Sequence, residues 1–289
     1  MLGALAFPLI VTLTVAAVAT STHGRLPPRL ATRFVTIALV LVVLAALPTV
    51  LVVAVAFLAH APVIGFGFAW CAKAMGLHGS VPAWLGVPVV VLIAVGASRA
   101  VRLLRQHATF RLGDSRPIHI APSHKPYAVT LPGRAGQIVI STAMVDLLDE
   151  DEQRIVVAHE RAHARYRHDR YLLTAELAAA VLPPLRALAK RVNYSIERWA
   201  DEAAAAACGD RRLVAVTLGK VALQTHPPSV AGFSGLGVAA RMGALLDPPI
   251  PNPRRGQVVA LWSSVVVTAG FSLYQLHHLE RLLTALCPN

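Results

Sequence analysis

Four stretches of the chain carry no charged side chain: Leu2 to Thr20, Phe34 to Leu58, Val81 to Ala97 and Gln257 to Leu276. A helix needs roughly 20 apolar residues to cross a bilayer, so the pattern predicts transmembrane helices over about 2–20, 34–58, 81–97 and 257–276. Between the third and fourth stretches the pattern changes. Short β-type runs, Ile118-His119-Ile120, Tyr127 to Leu131 and Gln137 to Ile140, are separated by turn residues such as Pro132-Gly133, which predicts a small antiparallel sheet. Helical spacing then takes over. Asp149 with Glu152 three positions on reads as a capping box ahead of Ile155-Val156-Val157, opening a helix expected to reach about His168. Further helices are expected over Tyr171–Leu182, closed by Pro183-Pro184, over Ser195–Cys208, closed by Gly209, and over Arg211–Gln224. The fold class is α+β, mostly helical. Three spans fill 1–98, a unit outside the bilayer fills 99–256, and a fourth span precedes a short tail at 277–289.

Composition agrees with a chain made for a lipid bilayer, its partner along these spans. Of 289 residues, 55% are apolar types and 15% charged, with a mean hydropathy of +0.58, which is not the profile of an ordinary soluble domain. The net charge of +12 would point to nucleic acid if it were clustered on a soluble face, but the cations flank the apolar stretches, so no direct nucleic-acid binding is expected. Arg25, Arg29 and Arg33 fill the first loop, Lys73 stands alone in the second, and Arg99, Arg102 and Arg105 follow the third span. Cationic loops stay inside. That rule predicts a multi-pass protein of the cell membrane with its N-terminus outside, 99–255 in the cytosol and its C-terminus outside. Ala17-Val18-Ala19 has the form of a signal-peptide cleavage site, but no cation precedes that run and three arginines follow it, so an uncleaved span is preferred. Cys71, Cys208 and Cys287 show no Cys-x-x-Cys spacing. Cys71 and Cys287 are expected outside, free or paired, and Cys208 is expected as a small core residue.

The chemical signal is His159-Glu160-Arg161-Ala162-His163. Two imidazoles four positions apart lie on one face of a helix and can hold one zinc ion (Zn2+), while Glu160, about 100° round the helix, is placed to act as general base. A catalytic zinc takes three protein ligands. Asp169, Glu176, Glu197 and Glu202 are the candidates. Asp169 would need a helix break where Tyr166 stands, and without one it lies about 120° off the ligand face. Glu197 and Asp201 sit one turn apart on a separate helix, where the first can ligate and the second can fix a histidine ring. Tyr194, His168 or an arginine would stabilise the oxyanion.

These residues, together with Leu131-Pro132-Gly133, Ile138 to Ser141, Leu147 to Glu152 and Arg241 with Leu245-Leu246 and Pro248, resemble the integral membrane zinc metallopeptidases of the BlaR/MecR type. They are nearly as similar to the HtpX and CAAX-protease group, which shares the gluzincin core. The resemblance spans roughly Ile118 to Pro248. It implies His159, His163 and Glu197 as zinc ligands, Glu160 as base and Asp201 as partner of a ligand. It also implies that the strand ending at Ser141, or its neighbour, offers an edge to extended substrate backbone. The expected activity is a metalloendopeptidase acting on a cytosolic protein substrate, a transcriptional repressor in a signalling pathway by the BlaR-type reading. A penicillin-binding sensor domain is not expected, since the chain stops at Asn289 and has no Ser-x-x-Lys. The alternatives are an HtpX-like quality-control protease, to which Arg167-His168 leans, or a non-catalytic membrane receptor or scaffold. Oligomeric state does not follow from the sequence.

Overall fold

The computed structural model describes residues 23–61, 81–109, 117–131, 136–225 and 231–263, with scattered positions beside them. The expected first span, Cys71, Cys287, Pro132-Gly133 and the tail lie outside the described residues, and the fourth span lies partly outside them. Among the described residues two helices are long and apolar enough to cross a membrane. The first, α1 (Pro28–Leu58), begins with Pro28 in its first turn, where a missing N–H costs nothing, and so takes in Arg29 and Arg33 ahead of the charge-free stretch. The second, α2 (Ala83–Thr109), runs through Arg99, Arg102 and Arg105. The boundary expected at residue 98 therefore falls inside a helix, because nothing in Ser98-Arg99-Ala100 breaks one.

The sheet has strands β1 (Ile118–Ala121), β2 (Ala128–Thr130) and β3 (Ile138–Ser141) in the order β1-β3-β2. β2 pairs antiparallel with β3, but β1 pairs parallel, so the expected antiparallel sheet is mixed. The reason lies in β3, whose four residues are all buried. The most apolar strand takes the central place, where both neighbours and both faces cover it. The edges of the sheet accordingly belong to β1 and to β2, the neighbours of the strand ending at Ser141, and not to that strand itself. Ser141 instead caps the short helix α3 (Thr142–Leu147), its hydroxyl accepting from the Met144 amide at 3.1 Å.

Helix α4 (Glu150–Tyr166) opens on the expected capping box: the Glu152 amide donates to Asp149 at 2.9 Å and the Asp149 amide donates to Glu152 at 3.0 Å. It ends at Arg167, whose φ of 55° and ψ of 48° are left-handed, and α5 (His168–Val181) starts at the next residue. The helix expected from Ser195 starts at Arg186 as α6 (Arg186–Cys208), because Leu188, Val192, Ile196 and Trp199 keep a helical period beneath a polar outer face. Gly209, with φ of 77°, closes it as a left-handed cap. Two further helices follow, α7 (Arg211–Thr225) and α8 (Ala231–Leu246). Cys208 is exposed rather than in the core. It lies in the last turn of α6, where Ala204 and Ala205 face inward, and an alanine-rich helix gives its sequence no way to mark the buried side.

Helix α6 organises the interior. Its Leu188, Val192 and Ile196 pack with Phe34, Val35, Ala38 and Leu39 of α1 and with Ala175 and Ala178 of α5. Further along, Ala204 and Ala205 pack on Ile155 of α4 and on Val214 and Ala215 of α7. Ile196 is fully buried next to Glu197, so truncating it to alanine, at about 2–5 kcal/mol, would also loosen the direction of that carboxylate. The turn into β3 presses on α4: Gly136 has φ of +55°, and a Cβ there would stand 2.7 Å from that of Ala164.

Candidate metal centre

One helical turn separates His159 from His163 on α4, and both rings turn toward α6. His159 Nε2 lies 3.6 Å from Glu197 Oε2, His163 Nε2 lies 3.7 Å from Glu197 Oε1, and the two Nε2 atoms are 3.1 Å apart. Donor atoms from the three residues all lie within 4.8 Å of one another, so they could hold a metal ion. Two imidazole nitrogens and one carboxylate are a donor set that suits zinc. The fit extends to the other ring nitrogens, each held by a second side chain: His159 Nδ1 is 3.2 Å from Asp201 Oδ1, and His163 Nδ1 is 3.1 Å from His168 Nδ1.

Glu160 points elsewhere. Thr130 Oγ1 of β2 lies 2.7 Å from Glu160 Oε2 and 2.8 Å from the Glu160 carbonyl oxygen, and its single proton serves one of them at a time. Burial raises the Glu160 pKa, against the lowering effect of His159 and of the Thr130 hydroxyl. A carboxylate raised toward neutrality is suited to taking and returning a proton.

Arg241 of α8 is the counter-ion that sequence reasoning did not place. Its Nε and Nη2 donate to the two oxygens of Asp201 at 2.7 Å each, and Nη1 is 2.9 Å from Glu197 Oε2. Burial would raise both carboxylates, but hydrogen bonds and charges from Arg241 and His159 overcome it and lower Glu197 and Asp201. Burial would likewise lower His159, yet Asp201 and Glu197 outweigh it and push this ring up to about 10. The position facing the Nε2 atoms thus favours positive charge. The sign that was available is that Arg241 is the sole charge in the sequence of α8.

On the opposite side burial dominates. It lowers His163 to about 4, with the charge of His159 adding to the effect, and lowers His168 to about 3. His168 is fully buried, its ring 4.8 Å from that of Trp199 and 5.9 Å from that of Tyr166. Standing behind His163, it is not available as an oxyanion donor. Trp199 in turn lies under the guanidinium groups of Arg29 and Arg33, 5.8 and 5.9 Å from its ring centre.

The remaining acids are engaged elsewhere. The chain does break before Asp169, at Arg167 rather than at Tyr166, but the residue this brings to the centre is His168. Asp169 lies near His107 at 3.9 Å and Arg167 at 3.5 Å. Glu202 pairs with Arg211 and Arg198, and Glu176 is exposed.

Two cavities meet at the centre. One, of about 350 Å³, is walled by Met144, Ile155, Val156, Val214, Leu218 and Val221; the other, of about 460 Å³, by Val129, Thr130, Leu131, Leu172 and Leu173. His159, Glu160, Glu197 and Ala128 line both, so a cleft passes the centre beside β2.

Residues 103–182 match Peptidase family M48. The match takes in α4 with both histidines and Glu160 and supports a zinc metallopeptidase. It ends before Glu197, so the third donor rests on the geometry. No curated protein and no solved structure matches the chain.

Proposed function

We propose that the chain is a membrane-embedded zinc metalloendopeptidase that hydrolyses peptide bonds of a protein substrate on the cytosolic side. The observation that carries this reading is the convergence of His159, His163 and Glu197, with Glu160 held apart from them by Thr130. Zinc, when bound, supplies Lewis acidity to the scissile carbonyl and to the attacking water. Glu160 takes the proton of that water and returns it to the leaving amine. Asp201, anchored by Arg241, holds His159 through Nδ1 and leaves its Nε2 for the metal. The free edge of β2 receives substrate backbone in extended form, and the cavities on either side take its side chains.

Membrane insertion is supported by α1 and α2, and the cytosolic placement by the arginines at their ends. The BlaR/MecR-type resemblance favours a transcriptional repressor as substrate. The Arg167-His168 pair favours the HtpX-like alternative, in which membrane proteins are cleaved for quality control. The test is zinc content and cleavage of fluorescently labelled casein by the detergent-purified chain and its Glu160→Gln variant. About one zinc in both, with cleavage lowered roughly 10²–10⁴-fold in the variant, is expected. Cleavage untouched by the substitution, or no zinc in a folded parent, would sink the reading; zinc without cleavage by either would favour a scaffold.

A further inference from the structure

We propose that His168 is a positioning residue for His163, accepting the Nδ1–H of that ring and so keeping its Nε2 lone pair aimed at the metal position. The inference rests on the metallopeptidase reading. Nε2 of His163 faces Glu197 and His159, so a neutral His163 that ligates through this atom carries its proton on Nδ1. The atom found on that side is Nδ1 of His168, 3.1 Å away. Two neutral ring nitrogens at that distance share one proton. If His163 donates, its Nε2 is free for a metal. If His168 donates, the proton of His163 moves to Nε2 and blocks ligation.

The surroundings show that His168 is kept for this nitrogen. The ring is fully buried, and its Nε2 has no hydrogen-bond partner among the described residues. A buried polar atom left unpaired is destabilising, and an apolar ring would pack against Tyr166 and Trp199 without that penalty. The compensation on the page is the contact of Nδ1 with His163. The rings of His163 and His168 stand at 89° with centres 4.8 Å apart, and the two aromatic neighbours restrict any reorientation of His168. Ionised Asp201 only accepts from His159, whereas His168 accepts or donates according to its tautomer. The two ligand histidines are therefore held by partners of different kinds.

The test compares zinc affinity of the full chain in detergent, by competition with a chromophoric chelator, for the parent and three variants. His168→Asn keeps an oxygen acceptor near the place of Nδ1; His168→Leu and His168→Phe fill the site without one. The acceptor-free variants are read where the zinc-free circular dichroism matches the parent's. Zinc binding weakened about 10–100-fold in them, and close to the parent in His168→Asn, is expected. Parent-like affinity in Leu or Phe, or an equal loss in all three variants, would overturn the proposal while leaving the metal site standing. A folded parent that takes up no zinc would bring down the metal-site reading itself.

Discussion

His159 and His163 leave the same helix one turn apart and face the same carboxylate, yet their backings are opposite. Behind His159 stand Asp201 and, bound to it, Arg241; behind His163 stands a neutral ring packed against aromatic side chains. The first flank draws a proton onto its imidazole, whereas burial, joined by the charge of His159, drives the proton off His163. A metal ion arriving at neutral pH would displace a proton from His159 and none from His163. The motif supplies two like donors, and neighbours from other helices make them unlike.

The severest way to break this contrast is Arg241→Leu. It leaves Asp201 and Glu197 buried without their guanidinium, and an uncompensated buried charge costs about 3–5 kcal/mol. Urea unfolding should show that loss; an unchanged midpoint would mean the carboxylates are stable without Arg241. Asp201→Asn is expected to act less on the fold and more on the metal, weakening zinc about 10–100-fold in a chelator competition. Equal zinc affinity there would remove Asp201 from the account of His159.

A pH series on chelator-treated protein sharpens the comparison. His159 is raised from its ordinary 6.5 to about 10, so its contribution to stability is full below 6.5 and is lost as pH rises through 10. His163 and His168 are lowered to about 4 and 3, so their contribution is present above 6.5 and is lost as pH falls through those values. The thermal midpoint should therefore be highest near neutrality. Asp201→Asn should flatten the alkaline limb and spare the acid one; flattening of both would mean the flanks are not independent. The smallest effect is expected from Arg154→Ala, whose exposed pairs with Glu150 and Asp151 lie away from both flanks. A change in unfolding free energy above roughly 0.5 kcal/mol would contradict its role as a neutral reference.

Local signals were legible in the sequence. The capping box at Asp149 and Glu152, the one-turn spacing of His159 and His163, and that of Glu197 and Asp201 each lie within a few residues, where helix geometry alone relates them. What depends on distant pairing was not. The parallel place of β1 is decided by the burial of β3, and the meeting of Arg241 with Asp201 by the packing of α8 on α6. Thr130 gave no sign, since one polar residue in a short strand says nothing of what crosses above it. His168 was visible as a residue but not as a neighbour of His163. Its position depends on Arg167 adopting a left-handed conformation that favours glycine, which the sequence does not supply there.

That one-residue joint between α4 and α5 limits how the chain can change in length. Surface loops commonly absorb insertions and deletions, but a residue added between His163 and His168 would turn the second ring by about 100° about its helix axis and carry it off the first. The spacing from His163 to His168 is thus held as tightly as the spacing from His159 to His163. Chains that share this backing should show a second histidine five positions on, with no gap permitted between.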